Sequence, residues 1–240
     1  MAPSTSKLIL RLTVSVITNI SLYALAPFLS ARTIHWWRAW AVIGLILFGS
    51  AWAIGDLYRS YRSVLEERLK PLFQKGQPVA DRVLVSLFFA TYMGLVVFIP
   101  LDVFRLRLLG KTGIVFSSLG LLLMVLGWWI AQLSLRENTF ASVVVRHPQE
   151  GQQSVIDTGV YSVVRHPLYV GGLILVVGMP LWLESYAAFL LAVVPLGVIS
   201  VRILFEERFL RKELPRYDAY AQKVRYRLIP FSGECPPRGF

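Results

Sequence analysis

A chain of 240 residues that is 55% hydrophobic, only 16% charged and of mean hydropathy +0.58 falls well short of the roughly 25% charge of soluble domains. Its net charge of +11 does not mark a nucleic-acid binder, because the basic residues collect at the ends of apolar runs instead of striping a soluble domain. A single cysteine, Cys235, excludes an intramolecular disulfide and a cysteine zinc site, and its setting, Glu234-Cys235-Pro236-Pro237-Arg238-Gly239-Phe240, is not a prenylation box.

In chain order, Lys7 and Arg11 precede an uncharged run over 12–31, long enough to span a bilayer and read as a retained helix, since the run continues past Ala24-Leu25-Ala26. A second run covers 39–55, with Trp36, Trp37 and Trp40 at its start, where an interface places indoles. Residues 56–82 turn polar. They read as a helical extension to about Lys70 and then a loop broken by Pro71, Gly76 and Pro78. The third run is 83–101 and the fourth 112–135, joined by a short basic loop holding Arg105, Arg107 and Lys111. No charge interrupts these runs, so they offer no proton relay or ion path.

Residues 136–167 are polar and irregular. The β-branched runs 143–145 and 160–164 point to a short hairpin or an extended loop. Val-Val-Arg-His-Pro occurs at both 144–148 and 163–167, and the second copy is the one that continues into an apolar segment. The runs 168–183 and 186–201 then form a helical hairpin whose two ends lie on one side, with Pro167 at a helix start and Pro195 placed to kink the second helix. The expected fold is all-α: a polytopic membrane bundle of about six spans, with residues 1–135 as transmembrane scaffold and 136–240 as the functional core. Most of the 25 basic residues then lie on the side of both termini, which the positive-inside rule makes cytoplasmic.

Chemistry-bearing residues crowd at Gly159-Val160-Tyr161-Ser162-Val163-Val164-Arg165-His166-Pro167-Leu168-Tyr169. Beyond the hairpin, Arg202 and Glu206, four apart, share a helix face from which Glu207 and Arg208 turn away. That pair reads either as a snorkelling arginine with an intrahelical partner or as a site in which Arg202 holds an anion and Glu206 a cationic or hydroxyl-bearing ligand. His35, His147 and His166 are scattered, so no metal site is expected. Gly-rich phosphate loops and a Gly-x-Ser-x-Gly elbow are absent.

Gly159-Val-Tyr161, Arg165-His166-Pro167-Leu-Tyr169, Arg202-x-x-x-Glu206-Glu207-x-x-Leu210, Tyr217-x-x-Tyr220 and Leu228-Ile-Pro230 together resemble the isoprenylcysteine carboxyl methyltransferase family, and the related phospholipid methyltransferases share much of the pattern. The resemblance covers roughly 136–232. It implies a membrane enzyme using S-adenosylmethionine, bound on the cytosolic side in a pocket formed by the loop and the C-terminal helical extension. Tyr161, His166, Pro167, Leu168 and Tyr169 would line that pocket, with Gln153, Ser154, Val155 and Ile156 just upstream. Glu206 would contact the cofactor and Arg202 the substrate carboxylate, these two being the catalytic pair. Val160 stands where the family often has proline, and Arg146 or Gln149 falls near a pocket glutamine of the family. The implied acceptor is a lipophilic or prenylated acid reaching the site from the bilayer lipids, without nucleic acid. N-methylation of a phospholipid amine such as phosphatidylethanolamine, or a non-catalytic membrane scaffold or carrier, are the competing readings.

Overall fold

The structure is a computed structural model that describes residues 13–14, 17–18, 21, 25–60, 73–74, 76–138 and 155–229. Its helices are α1 (Trp37–Ser60), α2 (Val79–Leu101), α3 (Ile114–Glu137), α4 (Pro167–Trp182), α5 (Tyr186–Leu191), α6 (Val193–Glu213) and α7 (Tyr217–Lys223). No strand occurs among the described residues. Four helical segments there are long and apolar enough to cross a membrane: Trp37–Asp56, Val79–Leu106, Ile114–Glu137 and Tyr186–Glu213. α4 is a shorter apolar helix. The protein is a polytopic helical membrane bundle, as its composition requires. Most of the run expected as the first span lies outside the described residues, although 25–31 are helical.

The element boundaries follow local chemistry. Pro78 caps α2, and Pro100 near its end withholds an N–H from the ladder. The chain then widens into a π-helical turn, Asp102–Leu106, which closes on Arg107 in the left-handed region at φ 51°. Pro167 occupies the first turn of α4, where a missing N–H costs nothing. The kink expected at Pro195 falls a turn earlier, at Ala192 between α5 and α6, because a proline ring collides with the carbonyl four residues before it. Residues 160–164 depart from the extended reading. Gly159–Ser162 is a 3-10 turn, entered through Gly159 at φ +52°. The run 143–145, with Arg146, His147 and Gln149, lies outside the described residues.

Two features fix where the site can form. At the end of the bundle away from Pro167, Arg38 lies between the rings of Trp37 and Trp182, 4.9 and 4.7 Å from their centroids. It also bonds Trp182 O and Glu184. Asp102 there accepts from Ser185 Oγ at 2.6 Å and Leu108 N at 2.9 Å. Along the bundle, α3 and α4 pack antiparallel through a glycine seam. A Cβ added at Gly127 would lie 2.6 Å from Gly171 O, and one at Gly171 would lie 2.6 Å from Gly127 O. Gly120 and Gly178 repeat the contact seven residues on, at 2.7 Å each way. In a bilayer, where apolar burial does not favour helix over lipid, such backbone-to-backbone approach is what holds a helix pair together. The seam carries the start of α4 to the C-terminal end of α3, where Arg136 also grips Asp56 of α1 at 2.7 and 2.8 Å.

Gly171→Ala is expected to overpack this seam by about 1–3 kcal/mol and lower the thermal midpoint in detergent by several degrees. Gly172→Ala, whose Cβ would meet nothing within 4 Å, should leave the midpoint unchanged or raise it. Differential scanning fluorimetry of both variants beside the unsubstituted chain checks the contrast.

Candidate active site

The site begins at the end of α3. Glu137 accepts a hydrogen bond from the Thr158 hydroxyl, and the same carboxylate fills the space that a Cβ at Gly159 would need, 2.6 Å away. The side chain of Glu137 could give way, but φ +52° at Gly159 lies in the left-handed region that favours glycine at the entry to the 3-10 turn. Beyond it the backbone hydrogen-bonds to the C-terminal segment. Arg165 N donates to Tyr226 O at 2.9 Å, and His166 N to Arg227 O at 3.1 Å. The Tyr220 hydroxyl donates to Tyr161 O at 2.8 Å. The Arg165 guanidinium reaches the carbonyls of Val224 and Arg225, just beyond α7, at 2.8 and 3.0 Å. Leu214, Tyr217, Tyr220 and Val224 form a small apolar cluster under this strap, and Val155 packs against it.

Glu207 is the centre of this arrangement. It is 3% exposed and accepts from Arg165 Nε at 2.7 Å, from Arg227 Nε at 2.8 Å and, at 3.3 Å, faces His166 Nε2. One carboxylate of α6 thus binds the turn before α4 and the strap after α7. The sequence set Glu207 apart from the Arg202–Glu206 face. The structure does turn it off that face, but into the interior, where it is the most heavily bonded carboxylate of the site. The signal for it was its buried partner Arg165, distant in sequence and joined only by the fold.

One turn away lies a second cluster. The Tyr169 hydroxyl donates to Glu206 Oε2 at 2.5 Å, and the Tyr169 ring lies 5.7 Å from the Arg202 guanidinium carbon and 5.7 Å from the His166 ring. Arg202 does not snorkel toward solvent. It is 8% exposed, and its Nε meets Asp81 Oδ1 of α2 at 3.0 Å. Asp81 is completely buried, and Gln77 Nε2 donates to its other oxygen at 2.8 Å. By sequence, Asp81 falls in a polar loop at the edge of the third run, within the 1–135 segment expected as scaffold. The pair shows α2 contributing to the site. The clue available was that a span-end arginine needs a counter-charge at the same depth of the membrane.

The structure therefore brings Tyr161, His166, Pro167, Tyr169, Arg202 and Glu206 to one end of the bundle, with Leu168 and Ile156 partly exposed at its margin. Gln153 and Ser154 lie outside the described residues. No group of metal-ligating side chains occurs among the described residues. Tyr217 adds a feature the sequence did not flag. Its Oη is buried and has no hydrogen-bond partner among the described residues. Burial, reinforced by the charges of Glu207 and Glu206, pushes its phenol well above the ordinary value, so it is a neutral donor at physiological pH. Tyr220 is pushed up in the same way, chiefly by burial. At the exposed rim, Lys223 bonds Asp157 and holds that carboxyl below its ordinary value.

Part of the chain is similar to known proteins. Residues 115–216 match the family model described as Phospholipid methyltransferase. Probable protein-S-isoprenylcysteine O-methyltransferases of Oryza sativa subsp. indica and subsp. japonica are each 39% identical over 114 residues, 45% of this chain and 58% of theirs. Protein-S-isoprenylcysteine O-methyltransferase B of Arabidopsis thaliana is 31% identical over 111 residues, 45% of this chain and 56% of its own. The chain thus spans somewhat over half the length of these curated relatives, and its resemblance to the isoprenylcysteine and phospholipid methyltransferases is borne out. Asp81, Gln77, Tyr217 and Arg227 all lie outside the matched segment 115–216.

Glu207→Ala leaves Arg165 buried without its carboxylate and is expected to cost about 3–5 kcal/mol. The strap over 224–229 should also detach. Limited trypsin digestion should cut after Lys223 and Arg225 many-fold faster in the variant, with the thermal midpoint lowered in parallel.

Proposed function

We propose that this chain is an integral membrane methyltransferase that uses S-adenosylmethionine and transfers the methyl group to the carboxylate of a lipophilic acceptor such as a prenylated cysteine. The observation that carries this reading is one aromatic ring shared by two opposite charges: the Tyr169 hydroxyl is bonded to Glu206, and the Tyr169 ring lies against Arg202. A carboxylate suited to a cation and a guanidinium suited to an anion stand side by side, as a sulfonium donor and a carboxylate acceptor require. The names of the rice and Arabidopsis relatives support the same acceptor class.

The residues fit such a cofactor. Glu206 takes its bond from a neutral phenol, which leaves its negative charge for a sulfonium. The Tyr217 hydroxyl, without a partner among the described residues, offers a buried donor at the same end of the bundle. Tyr161, His166, Pro167, Leu168, Tyr169, Val155 and Ile156 would hold the cofactor with Glu206. When bound, S-adenosylmethionine supplies an electrophilic methyl carbon.

The chain's own work is orientation. Arg202 holds the acceptor carboxylate, and a carboxylate is already ionised, so no general base is needed. An in-line displacement rewards rigid placement of nucleophile and methyl carbon by on the order of several kcal/mol. The buried Arg202–Asp81 and Tyr169–Glu206 bonds provide that rigidity. A lipid tail can stay between the helices while its head reaches this end of the bundle, which the distribution of basic residues orients toward the cytoplasm together with both termini.

The structure also gives a specific reason to keep a second reading, N-methylation of a phospholipid amine. An amine must lose a proton, and the partly exposed carboxylate of Glu206 is a candidate acceptor for it.

Isothermal titration of S-adenosylmethionine into detergent-solubilised protein is expected to give micromolar binding, weakened at least about tenfold by Glu206→Ala. In lipid vesicles, tritiated methyl should then pass to an S-farnesylcysteine derivative and not to phosphatidylethanolamine. Transfer to the amine alone would select the second reading, and absence of binding by folded protein would reject a methyltransferase.

A further inference from the structure

Arg202 has two carboxylates within reach of its helix position. Glu206 lies four residues on, the spacing at which a helical arginine and glutamate pair by default. The structure instead gives the Arg202 Nε to Asp81 on another helix, 3.0 Å away, and leaves Glu206 bonded to the Tyr169 hydroxyl. Nothing in the local sequence of α6 selects this arrangement. It is imposed from α2, where Asp81 is fully buried and Gln77, one turn earlier, bonds its second oxygen.

We infer that Asp81 is a positioning residue that draws Arg202 away from Glu206, so that the Glu206 carboxylate stays available to a cationic ligand at the methyl-donor site. The inference rests on the reading of that site as one for S-adenosylmethionine, and adds to it a residue from outside the segment matched by the methyltransferase family model. Two physical points support it. The buried Arg202 charge must be neutralised by some carboxylate, because an uncompensated charge at 8% exposure is strongly unfavourable. If Asp81 is removed, the remaining carboxylate on the same helix face is Glu206, and the pairing that neutralises Arg202 also cancels the charge facing the ligand.

This predicts a charge-specific defect. S-adenosylmethionine carries a sulfonium, whereas S-adenosylhomocysteine has a neutral sulfur in an otherwise matching molecule. The ratio of their affinities therefore reports the negative charge that Glu206 presents. In the full chain, titrated in detergent, Asp81→Asn should lower the preference for S-adenosylmethionine over S-adenosylhomocysteine by at least about fivefold, since a neighbouring full charge shifts such interactions by more than this even when well screened. Adding Arg202→Gln should restore the preference, because nothing then competes for Glu206. Gln77→Leu, a milder change that frees one oxygen of Asp81, should shift the ratio in the same direction by less, and decides the matter if Asp81→Asn does not fold.

Equal weakening of both ligands would reduce Asp81 to a structural counter-ion and overturn the inference. So would an unchanged ratio in a folded variant, or failure of the second substitution to restore it. Failure of the unsubstituted chain to bind either ligand would instead sink the reading of the site on which the inference rests.

Discussion

The site depends on the burial of one carboxylate. Glu207 is almost inaccessible, and a charge so placed persists only when hydrogen-bonded and paired. Arg165 and Arg227 meet both demands from opposite sides in sequence, one just before α4 and one after α7. Arg165 in turn reaches the carbonyls just beyond α7. The C-terminal strap and the Arg-His-Pro turn are therefore not two structures that happen to touch. Each supplies part of the shell without which Glu207 could not be buried, and the backbone bonds from Arg165 and His166 to Tyr226 and Arg227 complete it. This gives a soluble-looking polar cap a rigid seat on a membrane bundle.

What places that cap is a constraint of the opposite kind. The glycine seam between α3 and α4 involves no charge, only the absence of side chains at four positions spaced by seven on each helix. It fixes the start of α4 against the end of α3, where Gly159 and Glu137 interlock. The far end is held separately by Arg38 between two tryptophans and by Asp102 bonded to Ser185. A helix as short as α4 can therefore be held firmly, and His166, Pro167 and Tyr169 inherit a fixed position from helix packing.

Sequence made the helical bundle legible because spans are long, uncharged and punctuated by prolines and tryptophans. It also exposed the Arg-His-Pro-x-Tyr and Arg-x-x-x-Glu-Glu motifs, whose residues the structure brings together as expected. The misses share one cause. Glu207, Asp81 and Tyr217 take their meaning from partners or neighbours on other elements, and helical periodicity speaks only of neighbours on the same one. The i to i+4 rule proposed Glu206 for Arg202, and tertiary structure supplied Asp81 instead. The 3-10 turn at 159–162 departs from the extension that its β-branched residues suggested, because the chain enters it through Gly159 in the left-handed region.

The distribution of counter-charges explains why a lipid-facing protein would build its polar site from both halves of the chain. On α6, Arg202, Glu206 and Glu207 fall within a turn and a half, and left to themselves they would neutralise one another. Instead each is answered by a different element: Arg202 by Asp81 of α2, Glu206 by Tyr169 of α4, and Glu207 by Arg165 and Arg227 from the flanking segments. The two carboxylates are answered unequally. Glu207 is held by two guanidinium groups, Arg165 and Arg227, whereas the hydrogen bond to Glu206 comes from the Tyr169 hydroxyl, with the Arg202 charge close by. Adjacent residues of one helix are thus bonded to different elements, and the arrangement is maintained by helices that share no sequence neighbourhood with them.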